Sequence, residues 1–327
     1  MLPLKNFEAS MLACLEEDKI ISEQELTDLI STMGAALKIS LEDQKTVLAS
    51  IQSRQAIRMD SGVALTAKDH RPWLKARQPD INPFFWNRYK LYLGQQRWPG
   101  GVVTGLDNTA DEILDLNGNP LEETPWKRRG LVMGDVQSGK TATYTALACK
   151  AADAGYKLII LLTGTLENLR RQTQERLDAG FVGFDSSGEL KKKRQGKLVG
   201  VGLIDQRRHA IVFTSRTSDF KEQTVNALGL RLNALKEPAL LVVKKNARIL
   251  KNLENWLRDY NADANGKIDT PLLLIDDEAD NASVNTSNPD TSPTAINERI
   301  RSILNLFSRS TYTGFTATPF ANIFYRF

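Results

Sequence analysis

The sequence predicts an α/β fold: a mostly parallel sheet with helices on both faces, preceded by a small helical N-terminal module. Three observations predict it. Apolar runs such as Leu158-Ile159-Ile160-Leu161-Leu162 and Leu272-Leu273-Leu274-Ile275 alternate with stretches long enough for helices. These runs are continuous rather than every-other-residue, the signature of strands covered on both faces, as parallel strands are. Finally, the stretch Gly130-Leu131-Val132-Met133-Gly134-Asp135-Val136-Gln137-Ser138-Gly139-Lys140-Thr141 sets a glycine-bounded turn between one such strand and a helix.

Bulk composition narrows the function classes before any motif is read. The 327 residues are 41% hydrophobic and 25% charged, an ordinary globular balance with room for one large domain or two. A net charge of +4 permits a nucleic-acid partner without pointing to one. The apolar runs are too short to span a bilayer, and Met1-Leu2-Pro3-Leu4-Lys5 lacks the layout of a secretory signal. No membrane and a cytoplasmic location are therefore expected. Cys14 and Cys149 stand far apart, which fits a reducing compartment, and both are expected as buried small hydrophobes. His70 and His209 are the only histidines, so a Cys/His metal cluster cannot form.

Residues 1–65 read as the helical module. Phe7, Met11, Leu12 and Leu15 recur at helical spacing, and Ser22 with Glu25, then Ser40 with Asp43, open two further helices in the manner of capping boxes. Leu26, Ile30, Leu48 and Ile51 supply their apolar faces. Residues 66–125 read as a connector packed on the α/β lobe. There Pro72, Pro79, Pro83 and Pro99 interleave with Trp73, Phe84, Phe85, Trp86, Tyr89, Tyr92 and Trp98, and such clusters pack against a core more often than they stack on bases. Asn117-Gly118-Asn119-Pro120 marks a turn before the next strand.

Residues 126–327 carry the alternation of strand and helix. A helix over 141–154 stops at Gly155, followed by a strand over 157–162 and a helix over 166–177. Lys191-Lys192-Lys193-Arg194 reads as a solvated loop or hairpin. Strands are expected over 211–213, 240–243, 272–275 and 311–315, with helices over 246–260 and 296–307.

The chemistry lies at the ends of these strands. G-x-x-x-x-G-K-T is a phosphate-binding loop: Gly134 and Gly139 let the backbone curl so that N–H groups, with Gln137 and Ser138 between them, face phosphate oxygens. Lys140 reaches the outer phosphates, the Thr141 hydroxyl ligates Mg²⁺, and the following helix points its positive end at the same anion. The strand ending in Asp276-Asp277-Glu278-Ala279-Asp280 supplies the acids. In one frame Asp277 holds the metal and Glu278 handles the attacking water; in the other Asp276 holds the metal and Asp277 is the base. The run Asp-Glu-Ala-Asp favours the first, with Asp280 relaying contacts onward. Thr316 and Thr318 at the end of the last strand can hydrogen-bond that acidic run and sense its state. Together the three motifs point to a RecA-like lobe of the helicase and translocase branch, binding ATP and Mg²⁺. The absence of a guanine-reading Asn-Lys-x-Asp run agrees with ATP. Thr165, Asn168 and Arg170 at one strand-to-helix turn, and Lys244 and Lys245 at another, are candidate contacts to a polymer backbone.

Five runs of residues carry a family resemblance. They are 136–141, Ala152-Asp153-Ala154-Gly155-Tyr156-Lys157, Leu169-Arg170-Arg171-Gln172-Thr173-Gln174, 276–283, and Tyr312-Thr313-Gly314-Phe315-Thr316-Ala317-Thr318-Pro319-Phe320-Ala321-Asn322. From about Trp73 onward the sequence resembles the Z-one domain, a bacterial family named for an endonuclease and related to superfamily-two helicases. The resemblance implies ATP-driven work on nucleic acid in an antiphage or restriction-type system with ATPase and nuclease partner proteins; it does not by itself choose between DNA and RNA, and DNA is the expected polymer. Two departures qualify it. Motors of this kind use a second RecA-like lobe that brings an arginine to the γ-phosphate, and the sequence stops at Phe327, so a longer parent protein is expected and this piece alone should hydrolyse weakly. Nor does Pro289-Asp290, followed by Glu298-Arg299-Ile300, offer the acid-x-Lys of a metal-dependent nuclease; 281–294 reads as a flexible loop beside the nucleotide. A nucleotide-gated scaffold that recruits a nuclease without translocating is the competing expectation.

Overall fold

The computed structural model describes residues 4–14, 23–56, 70–133, 139–188, 196–226, 229, 231–279 and 293–316. The first three helices are α1 (Leu4–Cys14), α2 (Glu23–Ala36) and α3 (Leu41–Ala56). They share a small core of their own in which Phe7, Met11, Leu26, Ile30, Val47 and Ile51 are buried. Ser40 starts α3 as the sequence suggested: the Asp43 N–H donates to Ser40 Oγ at 3.1 Å, and Ser40 Oγ donates to Asp43 Oδ2 at 2.8 Å. The Ser22 box lies outside the described residues. Cys14 corrects an expectation, because it is exposed whereas Cys149 is buried. An α1 terminus has one face to solvent, and the cysteine falls on it.

The connector is mostly helical: α4 (Leu74–Arg77), α5 (Phe84–Gln95) and α6 (Gly100–Leu116). Beyond it the chain alternates β1 (Trp126–Met133), α7 (Lys140–Ala154), β2 (Leu158–Thr163), α8 (Glu167–Leu177), β3 (Ile211–Val212), α9 (Glu222–Asn226), β4 (Ala239–Lys244), α10 (Ala247–Asn261), β5 (Leu272–Asp277), α11 (Pro293–Leu306) and β6 (Arg309–Thr316). The six strands form one sheet in the order β1-β6-β5-β2-β4-β3, and every pairing is parallel. Parallel strands joined by helices bring all their C-terminal ends to one rim, where the loops after them converge.

Strand residues divide between two cores by parity. Ile159, Leu161, Leu240, Val242, Leu273 and Ile275 face the first; Leu158, Ile160, Leu162, Leu241, Val243, Leu272 and Leu274 face the second. Helix α7 lies in the first core, almost wholly buried, with alanines at 142, 146, 148, 151, 152 and 154 that let it approach closely. The aromatic connector joins this core: Phe85, Trp86 and Tyr89 are buried, and α5 and α6 pack on α7. The Asp153 carboxylate on α7 accepts the Phe85 and Trp86 N–H groups, each at 2.9 Å, satisfying donors that open α5. The Lys150 ammonium, also on α7, pairs with Asp107 and with Asp111 (2.6 Å) on α6. On the other face α10 and α11 pack together, and the Asn246 side chain caps α10 through the Arg248 and Ile249 N–H groups.

β1 is longer than its apolar core suggested, because Trp126 to Arg129 pair with β6 residues 309–312. Lys127 is held there by the main-chain oxygens of Leu304 and Phe307. Among the described residues no helix is long and apolar enough to cross a membrane.

Candidate nucleotide site

The phosphate-loop strand β1 ends at Met133, opposite Thr316 of β6. Gly134, Gln137 and Ser138 lie outside the described residues, and the loop is entered again at Gly139. That glycine has φ of +72°, in the left-handed region where a Cβ is disfavoured, and it caps α7. Lys140 and Thr141 are the first two residues of the helix, at its positive end.

Two strands along the sheet, with β6 between, β5 delivers Asp276 and Asp277 to the same rim. Asp277 is where the two motifs meet electrostatically. Burial, reinforced by the neighbouring Glu278 charge, pushes its carboxyl up to about 6, and the Lys245 and Lys140 ammonium groups oppose that rise. A carboxylate strained in this way gains from a nearby cation. Tyr144 links the same groups on the α7 side. Its hydroxyl donates to Thr141 Oγ1 at 3.2 Å, and the Asp277 charge adds to burial in raising its pKa. Thr316, fully buried, ends the strand between β1 and β5. Asp280 and Thr318 lie outside the described residues, as does most of the 281–294 loop.

Asp276 points the other way. It is fully buried, its Oδ1 lies 2.6 Å from Lys245 Nζ in an ion pair, and its Oδ2 accepts the Tyr312 hydroxyl at 2.8 Å. The frame that made Asp276 the metal ligand therefore loses its ligand to the interior. Glu278 turns sharply after the strand, with φ of +57°, and its Oε2 sits 2.8 Å from where a Cβ on Gly164 would be. Ala279 N–H then donates to Phe315 O at 2.8 Å.

The polymer-contact candidates separate into two groups. Thr165 and Asn168 are exposed on the turn after β2 and at the start of α8. Lys244 is partly exposed and pairs with Glu167 at 3.1 Å. Arg170 and Lys245 do not belong with them: both are buried and engaged within the protein. Arg170 donates to Ser215 O (2.9 Å), Arg216 O (3.3 Å) and Glu167 Oε1 (2.9 Å), and lies 3.8 Å from Asp219. A guanidinium with that many internal acceptors is a fastener of α8, not a surface ligand.

Sequence reasoning passed over two residues at the site. Arg176, at the exposed end of α8, donates from Nη1 to Thr141 Oγ1 at 2.9 Å. Gly164 is the close approach that accommodates Glu278. Only the Gly after a strand end hinted at the second; nothing local signalled the first, because α7 and α8 meet through tertiary packing.

A family model described as type III restriction enzyme, res subunit, matches residues 106–321, more than half of the chain. Searches of curated proteins and of solved structures give no match. The matched span includes residues 134–141, the acidic strand end and Thr316; of these the described Lys140, Thr141, Asp277 and Thr316 lie on one rim of the sheet. The chain belongs to the family of the type III restriction enzyme res subunit, a family of helicase-like ATPases.

Proposed function

We propose that this chain is the ATP-hydrolysing lobe of a nucleic-acid-dependent motor in a bacterial antiphage, restriction-type system, as the Z-one resemblance implies. It acts in the cytoplasm on DNA, in a longer protein whose second lobe brings an arginine, beside ATPase and nuclease partners. The observation that carries the reading is that two stretches far apart in sequence, the start of α7 with Lys140 and Thr141 and the end of β5 with Asp277, come to the same rim of one parallel sheet.

The roles follow the chemistry of each residue type. Gly134 through Thr141 cradle the triphosphate with main-chain N–H groups and the helix end, and Lys140 adds a point charge. Thr141 and Asp277 would hold Mg²⁺; hydroxyl and carboxylate oxygens are the hard donors that ion takes, and the raised Asp277 carboxyl is the group that a cation relieves. Held there, the ion would supply positive charge against the phosphate oxygens. Glu278 orients a water in line with the γ-phosphate and accepts its proton. Thr316 and Thr318, with Asp280, carry the state of the acidic run toward the rest of the motor. Thr165, Asn168 and Lys244 offer the exposed donors to a polymer backbone.

The test is steady-state ATP hydrolysis by the full-length protein with single- and double-stranded DNA and RNA, beside Lys140→Ala and Glu278→Gln. Stimulation by a polymer, reduced by about 10²-fold or more in both variants, is the expected result. Tight ATP binding with background turnover on every polymer would sink the motor reading and put a nucleotide-gated scaffold in its place.

A further inference from the structure

An ammonium inside a protein gives up its water and persists only beside a negative partner. Lys245, just after β4, is 1% exposed and meets that requirement through Asp276, 2.6 Å away. The ion pair accounts for the charge. It does not account for the second contact of the same ammonium, a hydrogen bond to the main-chain oxygen of Glu278 at 2.5 Å. The Lys245 N–H is in turn shared between Thr163 O (3.2 Å) and Gly164 O (3.3 Å) at the end of β2. One residue thus fastens three adjacent strand ends, and Tyr312 on β6 reaches the same cluster through Asp276.

The fastening falls where the backbone needs it. Glu278 is one of three described residues other than glycine with positive φ, a conformation held only when the surroundings over-determine it. Here the Lys245 ammonium grips the carbonyl of residue 278, while the next N–H, of Ala279, is held by Phe315 O. Both polar atoms of that one peptide are therefore fixed by other strand ends. Turned this way, the Glu278 side chain leaves the strand line and its carboxylate lies against Gly164, where any larger residue would meet Oε2.

We propose that Lys245 is a positioning residue for Glu278. Its ammonium fixes the peptide about which Glu278 turns, and Gly164 leaves the space into which the carboxylate is delivered. This inference rests on the assignment of Glu278 to the attacking water. It also explains why a lysine, rather than an apolar residue, occupies a buried strand end. A hydrophobic side chain together with an uncharged partner at 276 would fill the space but donate nothing to the 278 carbonyl.

The test compares the parent protein, Lys245→Met, the double variant Lys245→Met with Asp276→Asn, and Glu278→Gln, all full length. Lys245→Met alone strands a buried carboxylate and should lower the unfolding midpoint or fail to fold. The double variant removes both charges and should recover the fold, since replacing a buried pair whole costs far less than breaking it. Nucleotide affinity in the double variant, read by fluorescence titration, should stay within about twofold of the parent. Its kcat should fall by about 10²-fold with KM unchanged, as expected when a reacting group is misplaced. A double variant that turns over at the parental rate shows that Lys245 serves the ion pair only, and overturns the proposal. Hydrogen exchange at the Ala279 amide gives a readout independent of turnover: faster exchange in the double variant, unchanged in Glu278→Gln, is the expected result. If the parent shows no turnover, the motor reading has failed and exchange at Ala279 still decides: equal protection in the parent and the double variant removes the positioning role.

Discussion

Two turns on the same rim make an instructive pair. The turn after β2 leads into α8 and the turn after β4 leads into α10, and each carries basic and polar side chains that read from sequence as contacts to a polymer. In both, the candidates face opposite ways. Asn168 is exposed and Arg170 is buried; Lys244 is partly exposed and Lys245 is buried. The buried members differ from each other too. Arg170 spends its donors on the main-chain oxygens of Ser215 and Arg216 and so secures α8 to the segment after β3. Lys245 spends its donors on Asp276 and Glu278, inside the acidic run itself. A cation drawn inward can therefore hold the scaffold or aim the chemistry, and only the identity of its acceptors tells which.

The contrast can be broken most severely at Arg170. Arg170→Met leaves the Ser215 and Arg216 carbonyl oxygens without that donor and removes the cation beside Asp219, and unfolding by denaturant should show a loss of about 3–5 kcal/mol. Polymer affinity per folded molecule should not change, which separates a fastener from a ligand. Lys244→Ala is the opposite case. Its pair with Glu167 is partly solvated, so stability should move by no more than about 0.5 kcal/mol. If Lys244 meets a backbone phosphate, affinity should fall evenly across sequences and the logarithmic salt slope should shrink by about 1. An unchanged slope would remove Lys244 from the interface.

A third case concerns a buried acid in the first core, which extends the comparison to the other sign of charge. Burial, opposed by the Phe85 and Trp86 N–H groups, raises the Asp153 carboxyl from 3.8 to about 7. The folded state thus holds that proton more tightly than the unfolded chain does, so this group's contribution to stability falls as pH rises from about 4 to about 7 and is flat above. Asp153→Asn keeps one acceptor for α5 and removes the slope. Thermal midpoints at about pH 5 and about pH 8 should show the variant gaining on the parent at the higher pH. A constant offset between the two proteins would show that Asp153 does not titrate in this range.

The sheet was legible because its strands are covered on both faces and so are written as unbroken apolar runs, which 158–162 and 272–275 show plainly. Helix ends were legible where a local cap sets them, as at Asn246 and Gly155. The phosphate loop and the acidic run could be proposed from sequence because their chemistry demands fixed residue types at fixed spacing. The direction in which a polar side chain turns was not. Arg170 goes inward because Ser215 and Asp219 await it, and Lys245 because Asp276 does. Those partners lie tens of residues away, beyond the reach of any local pattern. Arg176 beside Thr141 and the exposed Cys14 escaped for the same reason: each is fixed by the groups that pack near it.

An all-parallel sheet also divides the molecule into a rim that works and a rim that only connects. The turns that precede the strands gather on the second rim. One of them, Asp263 to Gly266, is closed by a Gly266 N–H to Asp263 O bond at 3.0 Å and by two further donors to the Asp263 carboxylate. It lies between α10 and β5, at the end of the sheet away from Lys140, Asp277 and Glu278. A fluorophore or a small inserted domain placed at that turn would report on the chain from a distance. The molecule thus comes with a built-in handle for single-molecule work, located where the fold asks nothing of the sequence but a tight reversal.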